Sequence, residues 1–186
     1  LASYAFPSPI VPANWINGGA NLMFKVTGTL TYDNVTNTPL AGFTVNLKTN
    51  PGDFLAGTAI TDINGNYEIW AGNGNYTLEG VAPLSATWFA SDGSAQLIFY
   101  LAGGDDYIPN PSALKYQAAD VNMDGWILED DAQDVFYYAG GDKIGDYTAP
   151  DWMFEVPSFT LNCANVPGQN FKGICSGDVS GEGPIF

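Results

Sequence analysis

The residues best placed to do chemistry lie in one run, Asp120-Val121-Asn122-Met123-Asp124-Gly125-Trp126-Ile127-Leu128-Glu129-Asp130-Asp131. Oxygen-bearing side chains stand at the first, third and fifth positions. A glycine at the sixth permits a sharp turn, the seventh offers a main-chain carbonyl, and an acid closes the run at the twelfth, which is the donor spacing of a calcium loop. Carboxylates packed so closely repel one another unless a cation sits among them. The spacing therefore predicts a calcium ion held by Asp120, Asn122, Asp124, Trp126 (through its carbonyl) and Asp131. Leu128 at the ninth position is not a donor, which leaves that ligand place to water. Ile127 is expected to anchor the loop to a core. Downstream, Ala132, Val135, Phe136 and Ala139 recur at helical spacing, and Gly140-Gly141 stops the helix.

A helix-like segment upstream repeats this one. Ala95-Gln96, Phe99-Tyr100 and Ala102-Gly103-Gly104 match Ala132-Gln133, Phe136-Tyr137 and Ala139-Gly140-Gly141. No ligand run precedes the first copy, where Ala86-Thr87-Trp88-Phe89 stands instead. Near the end of the sequence, Asp178-Val179-Ser180-Gly181-Glu182-Gly183 reads as the first six positions of another such loop, without its helix. The two fragments together predict a second calcium site from Asp178, Ser180 and Glu182. Its closing acid is missing, because Ser94 aligns with Asp131, and Asp92 is the expected substitute.

Other chemistry is excluded by composition. Twenty carboxylates face five lysines, with neither arginine nor histidine, for a formal net charge of -15. Catalytic triads with histidine, histidine-bound zinc and arginine clamps on phosphate are ruled out. Nucleic acid is not an expected partner, since no cationic surface exists to displace phosphate counterions. No spacing nominates a catalytic carboxylate pair, so the chain is read as non-enzymatic. No apolar run reaches the roughly 18 residues of a membrane helix, and membrane insertion is not expected. Eleven Phe, ten Tyr and five Trp are read mainly as core, with a glycan platform as the lesser reading.

The elements that position these residues are mostly strands. Residues 1–21, with Pro7, Pro9 and Pro12, form an extended tail. From Leu22 to about Ala86, Phe24, Val26, Leu30 and Tyr32 alternate with polar residues, and Phe43, Val45 and Leu47 do the same, as in a small β-sandwich. Asp62-Ile63-Asn64-Gly65-Asn66 predicts a hairpin turn. Residues 87–186 hold the two helices and a late hairpin around Val166-Pro167-Gly168. Its flanks, Cys163 and Cys175, are expected to form a disulfide in an exported protein. Asn34-Val35-Thr36 and Asn75-Tyr76-Thr77 are glycosylation sequons at Asn34 and Asn75.

Three stretches carry a resemblance: Val26-Thr27-Gly28-Thr29-Leu30, Pro39-Leu40-Ala41-Gly42-Phe43-Thr44-Val45 and Thr61-Asp62-Ile63-Asn64-Gly65-Asn66-Tyr67. They resemble the prealbumin-like sandwich of carboxypeptidase regulatory domains and collagen-adhesin B repeats. Aspartate rather than glutamate at the twelfth loop position, followed by a single helix, resembles a bacterial type I dockerin. Asp151-Trp152-Met153-Phe154-Glu155, Asn170-Phe171-Lys172-Gly173-Ile174-Cys175 and Gly177-Asp178-Val179-Ser180-Gly181 extend that likeness to secreted bacterial proteins joining such a sandwich to a split dockerin. The resemblance implies a mainly β, secreted, extracellular or cell-surface protein, with a dockerin-like module of two short helices, EF-hand-type calcium loops and a β-hairpin. The functional expectation is a calcium-binding structural subunit, a homo-oligomer or polymer assembled through the N-terminal tail. The competing expectations are an anchoring module for a cohesin-like partner and a carbohydrate-binding accessory module.

Overall fold

The computed structural model describes residues 22–141 and 145–183. The predicted tail, 1–21, lies outside them. Over the described residues the chain is mainly β, with two four-stranded sheets and three short helices.

Strand β1 (Phe24–Tyr32) uses the alternation expected of it: Val26, Leu30 and Tyr32 are buried, and the polar residues between them are not. Gly28 falls on the same inward face. A methyl group there would lie 2.1 Å from the Gln169 carbonyl oxygen, so the glycine permits a second backbone to cross close by. Strands β2 (Thr44–Thr49), β3 (Leu55–Ile60), β4 (Asn66–Ala71) and β5 (Gly74–Val81) follow. The sheets have the orders β4-β1-β8-β6 and β3-β2-β5-β7, once β6 (Trp152–Phe154), β7 (Ser158–Leu161) and β8 (Phe171–Cys175) are added. The sandwich is thus not confined to residues 22–86, because three late strands complete both sheets. One core runs through both parts of the chain, with Phe43, Leu47, Leu78, Trp152, Leu161, Phe171 and Ile174 all buried. Trp152 meets the rings of Phe43 and Tyr32 edge-on at centroid distances of 4.9 and 5.8 Å. Such pairs add about 0.5–1.5 kcal/mol each beyond area burial.

Two turns come out differently from their reading as hairpins. The Asp62–Gly65 turn does form: Asp62 Oδ1 accepts from the Asn64 and Asn66 amides, each at 2.8 Å, and Gly65 has φ +74°. Yet β3 and β4 enter opposite sheets. The Gly65 carbonyl accepts from Leu30 N–H at 2.9 Å, which draws the chain across to β1. Likewise the late hairpin is absent. β7 pairs antiparallel with β5, whereas β8 runs parallel to β1 and antiparallel to β6. Chain 165–170 lies along β1, donating from Val166 N–H to the Lys25 carbonyl and from Gln169 N–H to the Thr27 carbonyl.

This topology overturns the expected disulfide. Cys163 is exposed beyond the end of β7, its amide donating to Asn73 Oδ1 at 2.7 Å, while Cys175 is buried at the end of β8 in the other sheet. Both thiols are free. Burial pushes the Cys175 thiol up to about 12, which suppresses the reactive thiolate. Iodoacetamide should therefore modify Cys163 alone in the native protein and both cysteines after denaturation. Intact mass read before and after unfolding checks this, and a native protein with no alkylatable thiol would contradict it.

Among the described residues the helices number three rather than the expected two. α1 (Asp92–Ala102) is capped by Ser91, whose hydroxyl accepts from Ser94 N–H, and α3 (Glu129–Ala139) leaves the predicted cation loop. Between them lies α2 (Ala113–Ala119), capped by Ser112. Its seven residues are too few for a periodic signal, and Pro109 and Pro111 just before it read as loop. α1 packs against α3, and Ala95, Ile98, Ala119, Val121, Ala132, Val135 and Val179 form a second, smaller core.

Candidate metal centre

The loop from Asp120 to Asp131 joins α2 to α3. Its turn is built by its own side chains. Asp120 Oδ1 accepts from Asp124 N–H at 3.2 Å and Oδ2 from Gly125 N–H at 3.0 Å; Asn122 Oδ1 accepts from Asp124 N–H at 3.0 Å; Asp124 Oδ1 accepts from Trp126 N–H at 2.8 Å. Met123 and Gly125 have φ of +60° and +91°, and this reversal gathers the first, third and fifth side chains on the inside of the turn. Ile127 packs against the second core, as its position requires. From the other side Thr148 and Ala149 donate their amides to the Val121 carbonyl, each at 2.9 Å, and the Thr148 hydroxyl donates to the Asn122 carbonyl at 2.7 Å. Trp126 itself is exposed.

Asp131 differs from the other acids of this loop in being wholly buried. Its Oδ1 accepts from the Val121 and Asn122 amides at 2.9 and 3.3 Å, and its Oδ2 from Leu128 N–H at 2.9 Å. Burial raises its pKa, the three amides oppose that, and neighbouring Asp130 adds to the rise. Its two oxygens thereby tie both ends of the loop to the start of α3. Five carboxylates, Asp120, Asp124, Glu129, Asp130 and Asp131, occupy this loop and the first turn of α3. Among the described residues no lysine pairs with them, the ion pairs being Lys25–Glu68, Lys48–Glu79 and Lys172–Asp33. Also among the described residues, no three Asp, Glu or Cys side chains converge as a metal-holding group. The donors gathered in the turn are instead the mixed set of Asp120, Asn122 and Asp124, which suits a hard, oxygen-preferring cation.

The C-terminal half-loop meets the first helix of the repeat. Asp178 is wholly buried and accepts five hydrogen bonds. To Oδ1 come the Ser94 hydroxyl at 3.2 Å, the Ser180 hydroxyl at 2.8 Å and Gly181 N–H at 3.1 Å; to Oδ2 come the Tyr32 hydroxyl at 2.5 Å and Gly183 N–H at 2.9 Å. Ser180 N–H donates to Ser94 Oγ at 3.2 Å, as Asn122 N–H does to Asp131 in the other loop. The side chain that closes this half-loop is thus Ser94 and not Asp92, which lies in the first turn of α1. Glu182 joins only through its amide, which donates to Ser180 Oγ at 3.3 Å. Buried Lys115 lies close by, next to Gly181. Burial lowers its pKa, and the charges of Asp33 and Asp178 pull it back up. Tyr32, Ser94 and Lys115 escaped the sequence reading as parts of this cluster. Only the alignment of Ser94 with Asp131 offered a signal for one of them.

The repeat is also visible on the surface of α1 and α3. Gln96 Nε2 donates to Tyr100 OH at 3.1 Å and Gln133 Nε2 to Tyr137 OH at 3.3 Å. Phe99 and Phe136 are about half exposed, at 51% and 53%, and flank a groove of about 820 Å³ between the two helices. Of the sequon residues, Asn34 is half-buried and donates its amide to Thr38 Oγ1 at 2.9 Å, while Asn75 is exposed on β5 and accepts from Thr160 Oγ1 at 2.8 Å. No described helix is long and apolar enough to cross a membrane.

No protein-family model matches the chain, and no curated protein matches it. Among solved structures, 35% of the chain is similar to 14% of the T6 backbone pilin of serotype M6 Streptococcus pyogenes, with 19% identity and a TM-score of 0.30. A further 9R-lipoxygenase from Cyanothece PCC8801 is similar over 30% of this chain and 10% of its own, with 25% identity and a TM-score of 0.24. The chain thus spans only a small fraction of either protein.

Proposed function

We propose that this chain is a secreted, non-catalytic, calcium-binding structural subunit that assembles with copies of itself outside the cell. One observation carries the calcium reading: Asp131 is a wholly buried carboxylate in an acid-rich loop with no lysine paired to it among the described residues. A cation shared with Asp120, Asn122 and Asp124 and the Trp126 carbonyl would relieve that repulsion, and the donor chemistry fits calcium. The dockerin-like pattern of the loop supports the same assignment. Calcium here would hold α2, the loop and α3 in one arrangement. At the C-terminal half-loop Asp178 accepts five hydrogen bonds, against three at Asp131, and Glu182 joins only through its amide, so we assign one calcium per chain. Assembly rests on the N-terminal tail, whose apolar residues are too many for an indifferent linker.

Terbium, which takes the same oxygen ligands, tests the site through Trp126 at the seventh loop position. Excitation of tryptophan should give sensitised terbium emission that calcium displaces. Trp126→Phe should lose most of the emission while keeping calcium affinity, and Asp124→Ala should lose both. Absence of calcium-displaceable emission would refute the site. Assembly is read by sedimentation: the full chain should run as an assembly, and a chain lacking residues 1–20 as a folded monomer.

A second reading, an anchoring module for a cohesin-like partner, is favoured by the paired, exposed Phe99 and Phe136. Phe99→Ala with Phe136→Ala would then abolish capture of that partner without altering self-assembly.

A further inference from the structure

Four strands end the two sheets, and they are not equally guarded. β6 has three residues and β7 four, the latter following Pro157. β4 carries Glu68, paired with Lys25 at 2.8 Å, and such charges discourage a further strand. β3, Leu-Ala-Gly-Thr-Ala-Ile over six residues, has neither charge nor proline. Exposed Phe54, Leu55, Ile60 and Ile63 cluster at its two ends. Its free side can be deduced from the ladder. Thr61 N–H bonds the Phe43 carbonyl at 2.9 Å, so by the antiparallel alternation Ala59 and Gly57 face β2, while the main-chain groups of Thr58 and Ile60 face outward. The ladder slips by one residue between Leu47 and Lys48, so regular pairing covers Gly57–Ile60, and an uncharged edge of this kind is a template for strand addition.

We propose that β3 is the docking edge for Leu1–Phe6 of a second copy of the chain, which pairs with it as an added strand. The proposal rests on the assembly reading above and names its acceptor. Three features select this occupant. Residues 1–21 contain no charged side chain in a chain of net charge -15, so this segment can approach a neighbour without setting acid against acid. Leu1–Phe6, just before Pro7, is free of proline. Prolines at 7, 9 and 12 would interrupt a longer ladder. At about 3.3 Å per residue, the chain from Pro7 to Asn21 spans roughly 50 Å, enough to reach an adjacent subunit.

The test uses the full chain with a photo-activated benzoylphenylalanine in place of Tyr4. Natural-abundance and nitrogen-15 preparations are assembled together, irradiated and digested. Cross-links from residue 4 should map to residues 54–60, with mixed-isotope peptides in the statistical proportion. Ile60→Lys, at an exposed outward position, should abolish assembly and these cross-links while leaving the melting curve in place. Thr58→Pro, which removes an outward amide, should do the same. Same-isotope cross-links alone would place the segment on its own copy and overturn the proposal. Cross-links outside β3, with assembly still lost on deleting residues 1–20, would overturn the β3 assignment and leave the assembly reading intact. Assembly that persists without residues 1–20 would overturn both.

Discussion

Chelating divalent cations is expected to lower the melting midpoint of the full chain by roughly 5–10 °C. A cation bound by the folded state alone stabilises by mass action, about 2.7 kcal/mol at a hundred times the dissociation constant. For a chain of this length each kcal/mol moves the midpoint by about 2–4 °C. The structural route is direct. Asp120, Asn122 and Asp124 are gathered by a turn that closes on their own amides, and Asp131 ties that turn to α3. Without a cation the loop's acids must stay close while repelling one another. With Asp131→Ala the chelator effect should nearly vanish, since the loop loses both a ligand and the acceptor of three amides. Differential scanning calorimetry with and without chelator measures the shift, and an unchanged midpoint would contradict the account.

Asp178→Ala should cost about 3–5 kcal/mol, the usual penalty for removing one partner from a buried charged network. The carboxylate accepts from Tyr32, Ser94, Ser180, Gly181 and Gly183, and the buried donors Tyr32, Ser94 and Gly183 would lose their acceptor away from water. Lys115 would also lose a nearby negative charge. The clasp joins the C-terminal segment to β1 through Tyr32 and to α1 through Ser94, so its loss should loosen the sandwich and the helical layer together. Ser180→Ala, which removes one hydroxyl, should cost only about 1 kcal/mol. Urea denaturation separates the two outcomes. Equal, small losses in both variants would show that the half-loop is an unstructured end rather than a clasp.

How much of this was legible in the sequence depended on distance along the chain. The turn at Asp120–Trp126, its glycine and the helix after it are contiguous, so local spacing alone placed them. The inward face of β1 followed from alternation, since Val26, Leu30 and Tyr32 need only their neighbours to be read. The duplication was readable because Gln96 and Gln133, like Phe99 and Phe136, stand in matching helix positions. What failed was long-range pairing. The residues of β8 carry no mark of a parallel partner in β1, because alternation gives a face and not a neighbour. The Asp62–Gly65 turn has hairpin chemistry, yet the Leu30 amide takes its carbonyl and sends the chain to the other sheet. The cysteine pair followed from a hairpin that does not form, so the error in topology became an error in chemistry. Donor spacing points to the carboxylate of Asp92 rather than to Ser94, whereas buried Asp178 needs hydrogen-bond donors such as the Ser94 hydroxyl.

The most direct test is isothermal titration of calcium into the metal-free full chain. We expect one calcium per chain in the wild type, and none at the same concentrations in Asp120→Ala, with the sandwich still folded by circular dichroism. A wild-type chain that takes up no calcium, or an Asp120→Ala chain that binds as the wild type does, would contradict the assignment of the 120–131 loop as the metal centre.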